Sequence, residues 1–251
     1  MDYSRLGGPE GAARLFHRFR GAGLIPLDGG FYPVVHYPGI TMYPRTGEEE
    51  VFEGYTPPSG GAVSVYAHIP FCSRYCNFCH YPVMPGAAEE EKDRYLAAIS
   101  AETALYRRRL GLERPKATSV LVGGGTPTCL TPAQLARFLK DLTAQLYLSA
   151  CTQFSYGVDP GTLLGAEGAE RLRILRDRGV GRLTIGIQSF DDGVLKAMNR
   201  GHGAREALAA IEAARGAGFK LNLEFIYGYP GDTPETWGET MRRAAATGVA
   251  E

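Results

Sequence analysis

From residue 63 onward the apolar positions switch between two periods. Five short apolar runs read as strands: Ser64 to Ile69, Ser119 to Val122, Gln153 to Val158, Arg182 to Ile187 and Phe219 to Tyr227. Longer stretches with helical spacing lie between them. Glu89 to Leu110 offers Tyr95, Leu96, Ile99 and Leu105 to one face. Thr131-Pro132 sets a capping hydroxyl before a proline at the first helical position and opens a helix to about Leu146. Leu163 to Arg178 is closed by Gly179, two further segments span about 191–198 and 204–216, and Thr233-Pro234 opens a last helix towards Thr247.

Apolar strands, each followed by a helix, predict parallel βαβ units and an α/β fold. Such sheets and barrels carry their functional groups at the carboxyl ends of the strands. The pattern gives five such strands, and after the last helix the sequence runs Ala246-Thr247-Gly248-Val249-Ala250-Glu251. Residues 1–60 read differently. A short helical pattern, Gly11 to Arg20, runs into Gly29-Gly30-Phe31-Tyr32-Pro33 and Tyr37-Pro38, too often punctuated for long elements. The expected division is an N-terminal arm over 1–60 and a core over 61–251.

Composition narrows the classes of function. With 251 residues, 44% hydrophobic and 22% charged, the chain can bury the core of one ordinary α/β domain. Twenty-seven basic residues balance twenty-seven acidic ones, which argues against a nucleic acid or an anionic membrane surface as partner. No apolar run has the length of a bilayer span and the first residues do not read as a secretory signal. With free thiols, the expected location is cytoplasmic.

The chemistry gathers where the first strand ends. Tyr66-Ala-His-Ile-Pro-Phe-Cys-Ser-Arg-Tyr-Cys-Asn-Phe-Cys-His-Tyr81 places Cys72, Cys76 and Cys79 in C-x3-C-x2-C spacing. Three thiolates on one loop can each take one iron of a cubane cluster, leaving the remaining iron open to a small chelating ligand. A zinc site completed by His68 or His80 is an alternative. A disulfide framework fits poorly, because five cysteines is an odd number. Cys129 and Cys151, outside the triad, read as buried structural thiols. Gly123-Gly124-Gly125 ends the second strand without a side chain, which lets backbone groups approach a ligand closely; a tight bend is the plainer reading.

Five motifs occur in order over about residues 63–237: Tyr66-x-His68-Ile69-Pro70-Phe71-Cys72, Gly123-Gly124-Gly125-Thr126-Pro127-Thr128, Gln188-Ser189-Phe190, Asn199-Arg200-Gly201-His202 and Ile226-Tyr227-Gly228-Tyr229-Pro230. Together they resemble the radical SAM superfamily. More narrowly they resemble the branch around the oxygen-independent coproporphyrinogen III dehydrogenases, which also holds haem chaperones and two-SAM methyltransferases and cyclopropanases. The resemblance implies a partial (β/α)6 radical SAM barrel, truncated before strand six because Ala246-Thr247-Gly248-Val249-Ala250-Glu251 stands where that strand would begin, with a [4Fe-4S] cluster on Cys72, Cys76 and Cys79. S-adenosylmethionine (SAM) would bind the open iron through its amino and carboxylate groups. It further implies reductive cleavage of SAM and hydrogen abstraction from a small-molecule substrate, fed by an electron donor such as flavodoxin or ferredoxin. The reaction would be that of a two-SAM methyltransferase or of a coproporphyrinogen oxidase-like enzyme; a haem-binding chaperone without turnover is the alternative.

In relatives with two bound SAM molecules, positions matching Tyr66 and Gly124 contact the first. Those matching Phe78, Gly125, Thr126, Gln188 and Arg200 contact the second. Arg200 is thus expected to pair bidentately with a carboxylate, its plainer role being a helix-end cation. Phe78 would offer a ring face to adenine or shield the cluster, and His202 would cap the second of the two helical segments. Three positions depart from the family. Gly157-Val158-Asp159-Pro160 stands where Glu-x-Asp-Pro is common, removing one carboxylate contact to SAM. Glu224 replaces the family's Asp in the fifth strand, which keeps the charge for a contact to the second SAM on a side chain one methylene longer. His80 follows Cys79 where the porphyrinogen dehydrogenases carry a further cysteine, which weakens the case for that activity.

Overall fold

The computed structural model describes residues 61–249, with 11, 14, 17, 18, 20–22, 47, 50 and 53–56 before them. Two compact units divide the chain, Met1–Tyr55 and Thr56–Glu251. Of the short helix expected over Gly11 to Arg20, the described residues 11, 14, 17, 18 and 20 are helical. Gly29-Gly30-Phe31-Tyr32-Pro33 and Tyr37-Pro38 lie outside the described residues.

In the second unit β1 (Ala62–Ile69) is followed by two short strands, β2 (Phe71–Cys72) and β3 (Met84–Pro85), and by helix α1 (Glu89–Arg109). Then come β4 (Lys116–Gly124), α2 (Pro132–Ala144), β5 (Gln153–Val158), α3 (Gly165–Asp177) and β6 (Arg182–Gln188). Helices α4 (Asp192–Ala197) and α5 (Ala204–Gly216), strand β7 (Lys220–Phe225) and helix α6 (Pro234–Ala246) complete it. The sheet order is β1-β4-β5-β6-β7, with every neighbouring pair parallel. This is the predicted α/β fold, five parallel strands in sequential order as in part of a (β/α) barrel.

The element boundaries carry local corrections. β4 runs three residues earlier and two later than the apolar run, because its register with β1 carries pairing out to His68–Gly123 and Ile69–Gly124. β7 stops at Phe225, where a register shift against β6 lets the Ile226 amide donate to the Gln188 carbonyl. The helix expected from Leu163 is split: Pro160–Leu163 is a 3-10 turn, headed by the Asp159 carboxylate accepting from the Gly161 amide, and α3 begins at Gly165. Within α1, Leu96 is buried and Tyr95 and Ile99 pack against the core, but Leu105 is exposed, like Tyr106, Arg108 and Arg109 around it.

Capping follows the sequence at α2. Thr131 and Gln134 form a reciprocal capping box, and the Gln134 amide also donates to Asp93 Oδ1 at 2.9 Å, tying α2 to α1. The outer face of the sheet supplies the core. Val120, Val122, Tyr156, Leu183, Ile185 and Ile187 belong to one buried cluster with Leu135, Leu139, Leu175 and Ile211 of the helices. Each such aliphatic side chain contributes about 1.5–3 kcal/mol on burial. The opposite face carries Leu121, Gly123, Gly157, Thr184, Gly186 and Glu224 around a cavity. No helix among the described residues is long and apolar enough to cross a membrane.

Candidate functional site

The cavity measures about 320 Å³ and lies at the carboxyl ends of the strands. Cys72, Cys76 and Cys79 line it. So do Tyr66, Phe78, Gly124, Gly125, Thr126, Gln188, Arg200 and Glu224. Every position that the sequence singled out for cofactor contact therefore reaches one space, although these residues span nearly the whole described core.

The glycine run acts first on the protein itself. Gly124 has φ 113°, and a Cβ there would stand 2.7 Å from His68 Cε1 and 2.9 Å from the Ile69 carbonyl oxygen. At Gly125 a Cβ would meet Cys72 Sγ and the Phe71 carbonyl oxygen, both at 2.7 Å. Bare backbone lets the cysteine loop lie directly on the end of β4. The Gly125 amide donates to the Ile69 carbonyl at 2.8 Å, the Thr126 amide to the Phe71 carbonyl at 2.7 Å, and Thr126 Oγ1 to Cys72 Sγ at 3.6 Å. Burial pushes the Cys72 thiol up, the Thr126 bond acts against this, and the nearby Cys79 and Cys76 raise it further. Tyr66 Oη pairs with His68 Nδ1 at 2.9 Å, which fixes the tyrosine at the cavity rim.

The other side of the loop is fastened to the end of α4. The Asn77 amide donates to the Met198 carbonyl at 3.1 Å and its side chain to the Ala197 carbonyl at 2.8 Å. In return Asn199, left-handed at φ 58°, donates from Nδ2 to the Tyr75 carbonyl at 2.7 Å. The last carbonyls of a helix lack partners within it, and the cysteine loop supplies them. Phe78 lies edge-on to Tyr229, ring centroids 6.5 Å apart at 84°, beside the cysteines it separates.

Asp159, to which the sequence reading gave no role, organises the floor. Its Oδ2 accepts from Arg200 Nη2 at 2.8 Å, and its Oδ1 accepts from the Gly161 amide at 3.0 Å. Burial works to raise the Asp159 carboxyl, but its His202 and Arg200 neighbours outweigh it and hold the group below the usual carboxylate range. Arg200 Nη2 also donates to the Gly186 carbonyl at 2.7 Å, and Nη1 to Cys76 Sγ at 3.4 Å. The guanidinium expected to await a ligand carboxylate thus already has a protein carboxylate. The signal in the sequence was an Asp-Pro at a strand end and an Arg-x-His run, two pieces 41 residues apart that only the fold joins. His202 does not cap α5. Its ring is buried, with Nε2 3.3 Å from the Ile187 carbonyl oxygen, and α5 is capped instead by Glu206 and Asp192 accepting from the Gly203 and Ala204 amides.

Gln188 is left-handed at φ 69°, an uncommon conformation for a residue with a side chain, at the register shift that ends β6. Its amide lies over Gly186, where a Cβ would come within 2.8 Å of Nε2. Burial raises the Glu224 carboxyl, partly offset by Arg182. Cys129 and Cys151 are half-buried rather than buried; the Cys129 thiol is pushed up to about 12, chiefly by burial, and Cys151 Sγ reaches the Gln153 carbonyl at 3.4 Å.

Among the described residues no three His, Cys, Asp or Glu side chains gather around a single point as one metal ion would require. A cubane cluster makes a different demand, one thiolate on each of three irons, and three thiols around one cavity with N–H and O–H donors beside two of the sulfurs suit it.

Comparison with known proteins agrees with this chemistry. The profile of the Radical SAM superfamily matches residues 66–244. The oxygen-independent coproporphyrinogen III oxidase of Escherichia coli (strain K12) is 32% identical over 216 residues, covering 83% of this chain and 46% of the relative. The heme chaperone HemW of Bacillus subtilis (strain 168) is 33% identical over 172 residues, covering 68% of this chain and 44% of the relative. Among solved structures, coproporphyrinogen III oxidase (HemN) from Escherichia coli superposes with a TM-score of 0.71 at 31% identity, covering 80% of this chain and 45% of that one. The chain spans about half the length of the curated relatives it matches. It belongs to the radical SAM superfamily, in the branch that holds the oxygen-independent coproporphyrinogen III oxidases and the haem chaperones.

Proposed function

We propose that this chain is the core of an enzyme that holds a [4Fe-4S] cluster on Cys72, Cys76 and Cys79 and cleaves SAM to modify a small-molecule substrate. The observation that carries the reading is the convergence of the three thiols and the bare Gly124-Gly125 backbone on one cavity at the strand ends. When bound, the cluster and SAM supply a 5′-deoxyadenosyl radical able to abstract hydrogen from a substrate. The residues of the chain orient and enclose. Gly124 and Gly125 bring backbone to the cavity wall, the Tyr66 hydroxyl stands at its rim, and the Phe78 ring lines the cavity between Cys76 and Cys79. Gly157 offers no carboxylate, so Glu224 on β7 is the carboxylate we assign to the ligand's polar groups.

Reduction requires a one-electron donor of the flavodoxin or ferredoxin kind, in a reducing compartment such as the cytoplasm. The reaction we assign is a coproporphyrinogen oxidase-like step or a methyl transfer. The 33% identical haem chaperone favours a second reading, a haem carrier on the same core.

Anaerobic reconstitution with iron and sulfide, followed by dithionite and SAM, tests the proposal. The expected result is about four irons with matching sulfide and formation of 5′-deoxyadenosine, all lost in Cys72→Ala, Cys76→Ala or Cys79→Ala. Zinc without acid-labile sulfide would overturn the cluster. Stable haem retention with no SAM cleavage would establish the carrier instead.

A further inference from the structure

We propose that Asp159 is a positioning residue for the cluster: by clamping Arg200 it holds one guanidinium N–H against the sulfur of Cys76. The inference rests on the cluster reading above. Asp159 is itself fixed, since its second oxygen is occupied by the Gly161 amide at 3.0 Å. Arg200 Nη2 is pinned between Asp159 Oδ2 and the Gly186 carbonyl, at 2.8 and 2.7 Å. A guanidinium is planar and rigid, so two bonds to Nη2 set the direction of Nη1, which lies 3.4 Å from Cys76 Sγ. Both side chains are well shielded, 10% exposed for Arg200 and 21% for Asp159. His202, fully buried, places Nδ1 3.7 Å from the same carboxylate oxygen and closes the back of the pair.

The clamp has an electronic consequence. A cation and an N–H beside a cysteine sulfur stabilise the more negative, reduced form of a cluster and raise its reduction potential. Asp159 is an anion, so acting through its field alone it would lower the potential, and its removal would raise it. Acting through Arg200, its removal should do the reverse. The guanidinium borders the cavity and, without its acid, would swing into that open space and leave Cys76. The two roles therefore differ in sign.

The test is an EPR-monitored redox titration of the reconstituted protein with dithionite, without SAM, alongside iron and sulfide analysis. Asp159→Ala should load iron like wild type and titrate at lower potential. Arg200→Lys keeps the charge but not the fork, and should fall in the same direction; it decides the matter if Asp159→Ala does not fold. The double variant should lie no lower than the lower single, as expected for two residues acting as one unit. A higher potential in Asp159→Ala, or an Arg200→Lys protein indistinguishable from wild type, would overturn the proposal. Wild-type protein without iron and sulfide would instead strike down the cluster reading itself.

Discussion

A methyl group on residue 125 would meet Cys72 Sγ and the Phe71 carbonyl oxygen at 2.7 Å, whereas one on residue 157 would find nothing nearer than 3.5 Å. Gly125→Ala should therefore cost about 1–3 kcal/mol of overpacking and displace Cys72, the proposed cluster ligand, with a lower melting temperature and loss of most iron on reconstitution. Gly157→Ala should keep its iron. The sequence allowed the backbone at 123–125 to approach a ligand closely, with a tight bend as the plainer reading. It did not show that the neighbour is the chain's own loop, because the contact joins positions 53 residues apart that share no local pattern. The same limit hid Asp159. Cys129 makes a second residue-level case, its thiol pushed up to about 12 chiefly by burial. It should resist iodoacetamide at pH 8, with labelling that climbs only as pH approaches that value, and Cys129→Ala should leave iron content unchanged. Peptide mapping of the alkylated protein reads the first outcome, and an iron assay the second.

At the scale of elements, α4 is six residues long, too short to persist alone. It stands because its last carbonyls are taken by Asn77 and because Asn199 returns a bond to Tyr75. Helix end and cysteine loop stabilise each other. Asn77→Ala removes the side-chain bond to Ala197, a loss of about 0.5–1.5 kcal/mol for a neutral hydrogen bond. The expected readout is faster proteolytic cleavage within 72–81 in iron-free protein, with little change elsewhere; uniform protection would show that the docking does not hold the loop. Helices and strands were legible because apolar period and Thr-Pro caps are local signals. The ends were less so. β4 extends through Gly123 and Gly124 because β1 pairs with them, and Leu105 has helical spacing yet lies exposed.

For the whole described core, the two faces of the sheet divide the work, with large aliphatics outside under the helices and glycine, threonine and glutamate around the cavity. That division made the site's location readable from motif order, since four of the five motifs lie at a strand end and only Asn199-Arg200-Gly201-His202 lies between two helices. Occupancy of the site was not readable, because it depends on volume and on which charges are already paired. The cavity, about 320 Å³, lies at the low end of the roughly 300–1,000 Å³ usual for small-ligand sites. Arg200, the residue matched to a second ligand's carboxylate, is bonded to Asp159, Gly186 and Cys76. A second SAM would have to displace a shielded ion pair, and replacing such a partner costs more than an exposed contact returns. Equilibrium dialysis of reconstituted protein, with no reductant so that SAM stays intact, should thus saturate at about one SAM per chain, because Arg200 is already paired. Arg200→Gln should keep that stoichiometry while altering the cluster's potential. Two equivalents in wild type, falling to one in Arg200→Gln, would mean that Arg200 leaves Asp159 for the ligand and that the space for SAM extends past the cavity seen here.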